Sequence, residues 1–174
     1  MAKKLTLKLS LKHFQYIVVQ LTHTFILILA MNPRLEYIQH RIGKVVNDSP
    51  SAISNWLQMT PVLAENGKIV VTVPVRADMT NMMKSIHGGI VATILDDLCG
   101  TVCLISADEF FYATVTLNVD YLRPAQIGDV LTCTAEVVRQ GKNIINVHAT
   151  LALPDGKLVG RASSNLINTQ IKTH

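Results

Sequence analysis

Residues 85–103 read S-I-H-G-G-I-V-A-T-I-L-D-D-L-C-G-T-V-C, and no other run constrains the fold as much. Apolar residues at Ile90, Val91, Ile94, Leu95, Leu98, Val102 and Leu104 recur at helical spacing and fall on both sides of the helix. Such a helix needs cover nearly all round, so the rest of the chain has to wrap it. Its opening glycines, Gly88 and Gly89, leave bare backbone N–H groups at the positive end of the helix dipole. Asp96 and Asp97 stand inside the same apolar run. Carboxylates there cost free energy unless they are solvated, paired or used. An anion-stabilising helix start with a carboxylate further along is the pattern of a reaction site.

The wrapping material is legible in the flanking segments. Residues 35–46 are expected to form a short helix, opened by Pro33 in its first turn. Strands are expected at 58–63 and 68–75, joined by the hairpin turn Glu65-Asn66-Gly67-Lys68. A polar, Met-containing loop at 76–85 leads into the long helix at 88–105. Four segments rich in Val, Ile, Leu and Thr follow, at 113–121, 130–139, 143–153 and 158–168. Gln140-Gly141-Lys142 and Pro154-Asp155-Gly156-Lys157 supply turn chemistry between them, and residues 123–129 make the longer connection. Consecutive strands with short turns give an antiparallel sheet, so the fold class is α+β, a long central helix lying on a curved sheet.

At 174 residues the chain has room for one domain with a proper core. Hydrophobic residues make up 49% and charged residues only 16%, which excludes a disordered chain. The net charge of +4 suits anionic small molecules, but no Lys/Arg run or aromatic-basic interleaving points to nucleic acid. Cys99, Cys103 and Cys133 lie in apolar surroundings and read as reduced core thiols, hence a cytoplasmic protein. Cys99 and Cys103 share a helix face, but with no further ligand at metal spacing no metal is expected. The chain carries no GxGxxG, P-loop, GxSxG or HExxH.

The first thirty residues differ from the rest. Residues 1–12 carry four lysines, and residues 14–30 are apolar with Gln15, Gln20, His23 and Thr24 embedded. These polar interruptions make a poor membrane span, which wants about 20 mostly apolar residues. The preferred division is an apolar extension at 1–30, with the functional domain at 31–174. A membrane-associating role for the extension is the competing reading.

The spacing within the helix also bears on quaternary structure. Gly88 and Asp96 are eight residues apart, about 12 Å along a helix. Side chains lean back toward the N-terminus, which recovers only a few ångströms. A carbonyl held on the Gly88 N–H is thus beyond attack range of its own Asp96, since reacting atoms must lie within about 3–3.5 Å. If both groups act on one substrate, the carboxylate belongs to a second copy. Antiparallel helices in a twofold dimer would set each glycine start beside the partner's Asp.

The segment Asn81-x5-His87-Gly88-Gly89-x6-Asp96, followed by Asp120-Tyr121-Leu122-Arg123-Pro124 and later Arg139-Gln140-Gly141-Lys142, resembles hotdog-fold acyl-CoA thioesterases of the PaaI type. The resemblance covers about residues 35–168. It implies that Gly88 supplies the backbone N–H that polarises the thioester carbonyl. Asp96 then corresponds to the general base or nucleophile, delivered from the opposite subunit. Asn81 matches the loop residue that places the thioester or the water, and His87 the histidine framing the oxyanion site. Thr114 lies where some relatives carry a water-orienting Ser. The implied partners are an acyl-CoA substrate and further copies of the chain, a homodimer assembling to a homotetramer, with no cofactor. The same fold would also serve a non-catalytic acyl-CoA sensor, which has no use for a buried carboxylate beside a thioester. Hydratase relatives fit less well, because no Asp-x4-His pattern appears on the helix.

Chemistry agrees with that reading. Thioesters lack much of the resonance stabilisation of oxygen esters, so one N–H donor with a helix dipole can support the developing oxyanion. A carboxylate in a drier setting is a stronger base than one in water. Gly89, Arg123, Arg139, Lys142 and Met82 are the candidate substrate contacts. Arg139, Lys142 and Arg161 suit the phosphates of CoA or simply solvated strand ends. Met79, Met82 and Met83 suit an adaptable acyl pocket or core packing. His87 and Asn81 have purely local alternatives as helix-entry and loop-shaping residues. Asp97, about 100° round the helix from Asp96, is expected to form an ion pair or hydrogen bond at the subunit contact.

Overall fold

The computed structural model describes residues 32–107 and 109–172, all belonging to one unit, Asn32–His174. The expectations placed on residues 1–30 lie outside the described residues. Helices α1 (Pro33–Gln39) and α2 (Ala52–Leu57) precede strands β1 (Thr60–Glu65) and β2 (Lys68–Pro74). A single 3-10 turn at Ala77–Met79 leads to the long helix α3 (Gly88–Ser106). Strands β3 (Phe110–Tyr121), β4 (Val130–Gln140), β5 (Ile144–Ala152) and β6 (Leu158–Lys172) complete the chain. They form one sheet in the order β1-β2-β4-β5-β6-β3, antiparallel at every step.

The core lies between that sheet and α3. Alternate residues of the central strands point inward and are buried: Ile69, Val71 and Val73 on β2, Leu131 and Cys133 on β4, Val147 and Leu151 on β5. Against them α3 buries Ile94, Leu95, Leu98, Cys99 and Val102 completely. Each large aliphatic side chain so placed contributes about 1.5–3 kcal/mol of transfer free energy. By length and hydropathy α3 could cross a membrane, but its apolar residues here are core residues under the sheet. β6 passes close to the helix at Gly160, where a Cβ would meet Val91 Cγ1 at 3.0 Å and Asp120 O at 3.2 Å.

The expected order of elements holds, with α3 and all six strands at the expected places. Three details differ, each because a tertiary demand outweighs a local preference. Helix α1 stops at Gln39 instead of running to residue 46. The chain turns at Gly43 and its backbone runs beside β1, with Gly43 N–H donating to Pro61 O and Val46 N–H to Met59 O. A continued helix would leave that sheet edge unsatisfied. Second, α2 was not expected. Ser51 caps it by accepting from Ser54 N–H at 3.3 Å, and Gln58 ends it in the left-handed conformation at φ 55°. That left-handed residue delays β1 to Thr60. Third, β3 begins at Phe110 and β6 extends to Lys172, beyond the expected ends, because the two strands pair with each other over their whole length.

The C-terminal end of α3 is closed by the N-terminal turn of α1 with its cap and by the end of β4. Asn32 caps α1 through its Oδ1, which accepts from Arg34 N–H at 3.0 Å. Its Nδ2 donates to Ile105 O at 2.7 Å, and Arg34 Nη1 donates to Ala107 O at 2.8 Å. Gln140 Nε2 reaches Ser106 O at 3.3 Å. The last carbonyls of the helix, which lack intrahelical partners, are thereby satisfied.

Candidate active site

The start of α3 is held by a tightly bonded loop. Asn81 Oδ1 accepts from Met83 N–H at 2.9 Å and from Ser85 N–H at 3.3 Å, folding the loop on itself. Ile86 N–H donates to Ala125 O and His87 N–H to Met79 O, both at 2.8 Å. Met79 is buried in the core, whereas Met82 and Met83 project from the loop tip into solvent. Of the three methionines, core packing is therefore the outcome for Met79 alone.

His87 is the N-cap of α3, and its Nδ1 accepts from Gly89 N–H at 2.9 Å. Gly89 permits that approach, since a Cβ there would sit 3.0 Å from the same nitrogen. The N–H groups of Ile90 and Val91 go to His87 O. Among the described residues, none accepts from Gly88 N–H. The helix thus opens with one uncommitted donor at the positive end of its dipole. An open groove of about 320 Å³ lies beside it, lined by Ile86, Gly88, Val91, Tyr121, Arg123 and Val159 among others. The Tyr121 ring stands 3.4 Å from where a Gly88 Cβ would be. Arg123 is exposed, with Nη1 3.2 Å from Leu158 O.

Asp96 lies two turns further along, partly exposed, and accepts from Thr114 Oγ1 of β3 at 2.9 Å. The hydroxyl expected to orient groups at the site thus orients the carboxylate itself. Asp97 points elsewhere. Both its oxygens face Ser54 Oγ of α2, at 2.9 and 3.1 Å, so the expected hydrogen bond forms inside the protomer. Burial holds the Asp97 carboxyl above the usual carboxylate range, partly offset by the Ser54 hydroxyl, and the nearby Asp96 charge pushes it further up.

One protomer does not gather all the expected residues. Gly88, Gly89, His87 and Arg123 lie at one end of α3, and Asp96 with Thr114 near its middle. Arg139 and Lys142 are exposed on the β4–β5 hairpin, at the sheet end where Gln140 meets Ser106. The length of α3, about 27 Å at 1.5 Å per residue, separates them from Gly88. Arg161 sits on the outer face of the sheet, its Nε paired with Asp120 Oδ2 at 2.7 Å. Among the described residues no group of three or more His, Cys, Asp or Glu side chains is arranged to hold a metal. The cysteines are free and buried, and burial pushes the Cys99 and Cys103 thiols up to about 12 and Cys133 higher still.

The sequence family described as the thioesterase superfamily matches residues 83–159, from the loop before α3 to the start of β6. Acyl-coenzyme A thioesterase 13 of Homo sapiens is 31% identical over 110 residues, covering 63% of this chain and 74% of that one. The chain belongs to the thioesterase superfamily. As a member it is a thioester hydrolase. Acyl-coenzyme A thioesterase PaaI of Escherichia coli is 36% identical over 91 residues, 52% of this thioesterase and 64% of that one. Among solved structures, the Escherichia coli PaaI protein superposes with a TM-score of 0.69 at 24% identity, over 80% of this chain and 96% of that one. That likeness establishes the hotdog fold. A Streptococcus mutans protein bound to acetyl CoA superposes with a TM-score of 0.61 at 25% identity, over 64% and 88% of the two chains.

Two parts of this thioesterase's site escaped the sequence reading. Ser54 lies on α2, which the pattern Ile53, Trp56, Leu57 after a Ser51 cap would have revealed as one amphipathic turn and a half. Tyr121 was visible in the strand-end motif, but nothing local tells that its ring lies against Gly88.

Proposed function

We propose that this thioesterase hydrolyses acyl-CoA thioesters to the free acid and CoA, in a homodimer whose two sites are each shared between protomers. The observation that carries the reading is the pairing of an uncommitted Gly88 N–H with an Asp96 two turns away, too distant to serve the same carbonyl. The thioester oxygen would accept from Gly88 N–H, where the dipole favours the developing negative charge. The partner's Asp96 takes a proton from water as the water oxygen bonds to the carbonyl carbon. Collapse of the tetrahedral intermediate expels the CoA sulfur as thiolate, and a proton returns to it. Thr114 donates to Asp96 and fixes which oxygen faces the water. His87 and Asn81 keep the helix start and its loop in place. Alternatively Asp96 attacks directly and water resolves the resulting anhydride.

Exposed strand β3 supports the dimer. It is an edge strand of twelve residues, with Phe111 47% and Val115 59% exposed. A long apolar edge invites pairing, and antiparallel pairing of two β3 strands about a twofold axis sets the α3 helices antiparallel. Assembly of two such dimers into a tetramer is the expected further step. In the dimer, Arg139 and Lys142 of one protomer extend beyond the partner's helix start, a reach suited to the nucleotide phosphates of CoA, with Arg123 and Gly89 beside the thioester. Met82 and Met83 would border the same site. Coenzyme A as the carrier group rests on the named activities of the relatives and the acetyl CoA bound to the Streptococcus mutans protein. The three buried free thiols suit a reducing compartment such as the cytoplasm.

The test is thiol release from short, medium, long and phenylacetyl CoA thioesters by wild type and Asp96→Asn. Turnover by wild type, reduced about 10²–10⁴-fold in the variant with oligomer size unchanged, is the expected result. Tight acyl-CoA binding without turnover by wild type would reject hydrolysis and leave a sensor.

A further inference from the structure

Strand β3 changes face part-way along. Leu117 and Val119 pack against the core, and counting back by twos puts Val115 on the same side, with Thr114 outward. The structure has the reverse. Val115 is 59% exposed, whereas Thr114 stands opposite the buried Leu166 of β6 and donates to Asp96 Oδ1 at 2.9 Å. Directly opposed residues of two paired strands share a face of the sheet. The cause is a bulge. Thr114 pairs with Leu166 and Thr116 with Asn165, so β3 advances two residues while β6 advances one. Val115 is the extra residue, and the strand before it is turned over. Tyr112 and Thr114 thereby come onto the helix side of the sheet.

Side chains grip the bulge from both faces of the sheet. On the core side, Ser164 Oγ of β6 donates to Thr116 O at 3.0 Å. On the outer side, Asn165 Nδ2 donates to Thr116 Oγ1 at 3.0 Å. Asn146 Nδ2 of β5 in turn donates to Asn165 Oδ1 at 3.0 Å. Ser164 is fully buried. A serine there forgoes the transfer free energy that a valine would gain, and a buried hydroxyl is costly unless bonded. Among the described residues, the partner of that hydroxyl is the bulge carbonyl alone.

We propose that Ser164 is a positioning residue of the hydrolytic site: its hydroxyl fixes the bulge at Thr116 and so keeps Thr114 turned toward Asp96. This rests on the reading of Asp96 as base or nucleophile, and adds to it a residue that touches neither substrate nor carboxylate. Without the Ser164 bond, the arrangement open to β3 is regular alternation, with Val115 inward and Thr114 outward. That exchange buries an exposed valine, so the hydrophobic term favours it and the polar grip on Thr116 opposes it. Once Thr114 leaves, the Asp96 oxygens are no longer oriented. Catalytic groups are sensitive to displacements of about 1 Å.

The test is a double-mutant cycle on kcat, run with whichever acyl-CoA of the panel above wild type turns over fastest. Thr114→Val alone should lower kcat about ten- to a hundredfold. Ser164→Ala alone should lower it about five- to fiftyfold, with KM within about twofold of wild type and oligomer size unchanged. Added to Thr114→Val, Ser164→Ala should change kcat by less than about twofold, because both remove the same interaction. Ser164→Cys keeps the volume but donates weakly. It should behave as the alanine variant does, and takes its place if that variant does not fold. Losses that multiply across the cycle, or Ser164 variants with wild-type kcat, overturn the proposal. Activity lost in step with dissociation into monomers also overturns it, and assigns the bulge to the β3 edge. If wild type turns over none of the thioesters, the hydrolytic reading fails on its own, and a crystal structure of Ser164→Ala decides the role of Ser164. Thr114 Oγ1 turned away from Asp96 upholds it, and an unchanged bond between the two overturns it.

Discussion

The two ends of α3 are built to opposite purposes. At the C-terminal end, Asn32, Arg34 and Gln140 bring side-chain donors to the carbonyls of Ile105, Ala107 and Ser106. At the N-terminal end His87 takes the Gly89 N–H, and among the described residues the Gly88 N–H is left without an acceptor beside an open groove. A helix carries the same kind of orphan groups at each end. The protein closes one set with its own side chains and keeps one donor of the other available. Stability is invested at the closed end, and chemistry is available at the open one.

The sharpest way to break the contrast is to remove the open donor without disturbing the helix. Gly88→Pro does this, because proline is tolerated at the first helical position and His87 already holds an extended conformation at φ −70°, ψ 137°. Activity should fall about 10²–10³-fold, the usual loss for one oxyanion donor, while the melting temperature barely moves. Equal losses of activity and stability would mean that the groove around Tyr121, not the donor, had been damaged.

The converse change belongs at the closed end. Asn32→Ala leaves the Ile105 carbonyl without its donor, and urea unfolding should show a loss of about 1–3 kcal/mol. Turnover per folded molecule should stay at the wild-type level. A variant that unfolds at the wild-type midpoint but hydrolyses slowly would reverse the assignment of the two ends.

The smallest effect concerns the middle of the helix. Burial raises the Asp97 carboxyl in the folded protein, so the folded state holds its proton more tightly than the unfolded chain. Folding is then disfavoured as pH rises through and above the ordinary carboxylate range near 3.8, and this cost is absent at lower pH. Asp97→Asn, still able to accept from Ser54, should melt slightly higher than wild type at neutral pH. The gap should close as the solution is acidified below that range. A constant gap at all pH values would assign the effect to packing.

Much of this is legible in the sequence. The helix boundaries at Gly88 and near Ile105 follow from the glycine start and the apolar periodicity, which are local and strong. The β1–β2 turn is equally local: Asn66-Gly67 provides a positive φ, found at 80° for Gly67. The places where reading by pattern stopped short share a cause. Helix α1 ends early because the β1 edge needs donors from residues 43–46. Asp97 finds Ser54, forty-three residues earlier, because α2 lies against α3. Neither demand is written in the neighbouring residues.

By itself, then, the sequence determined the central helix, the sheet that wraps it, the exposed donor at Gly88 and the separation that keeps Asp96 from serving it. These depend on periodicity and on a fixed rise per residue, which hold whatever surrounds the helix. Only the tertiary structure decided that Thr114 holds Asp96, that Ser54 holds Asp97, that Tyr121 lines the helix start, and that Arg139 and Lys142 stand at the opposite end from Gly88. Those facts depend on strand order and on which elements pack together, a long-range outcome of burying the whole apolar surface at once. Residues adjacent in sequence, Asp96 and Asp97, were thereby given different neighbours and different work.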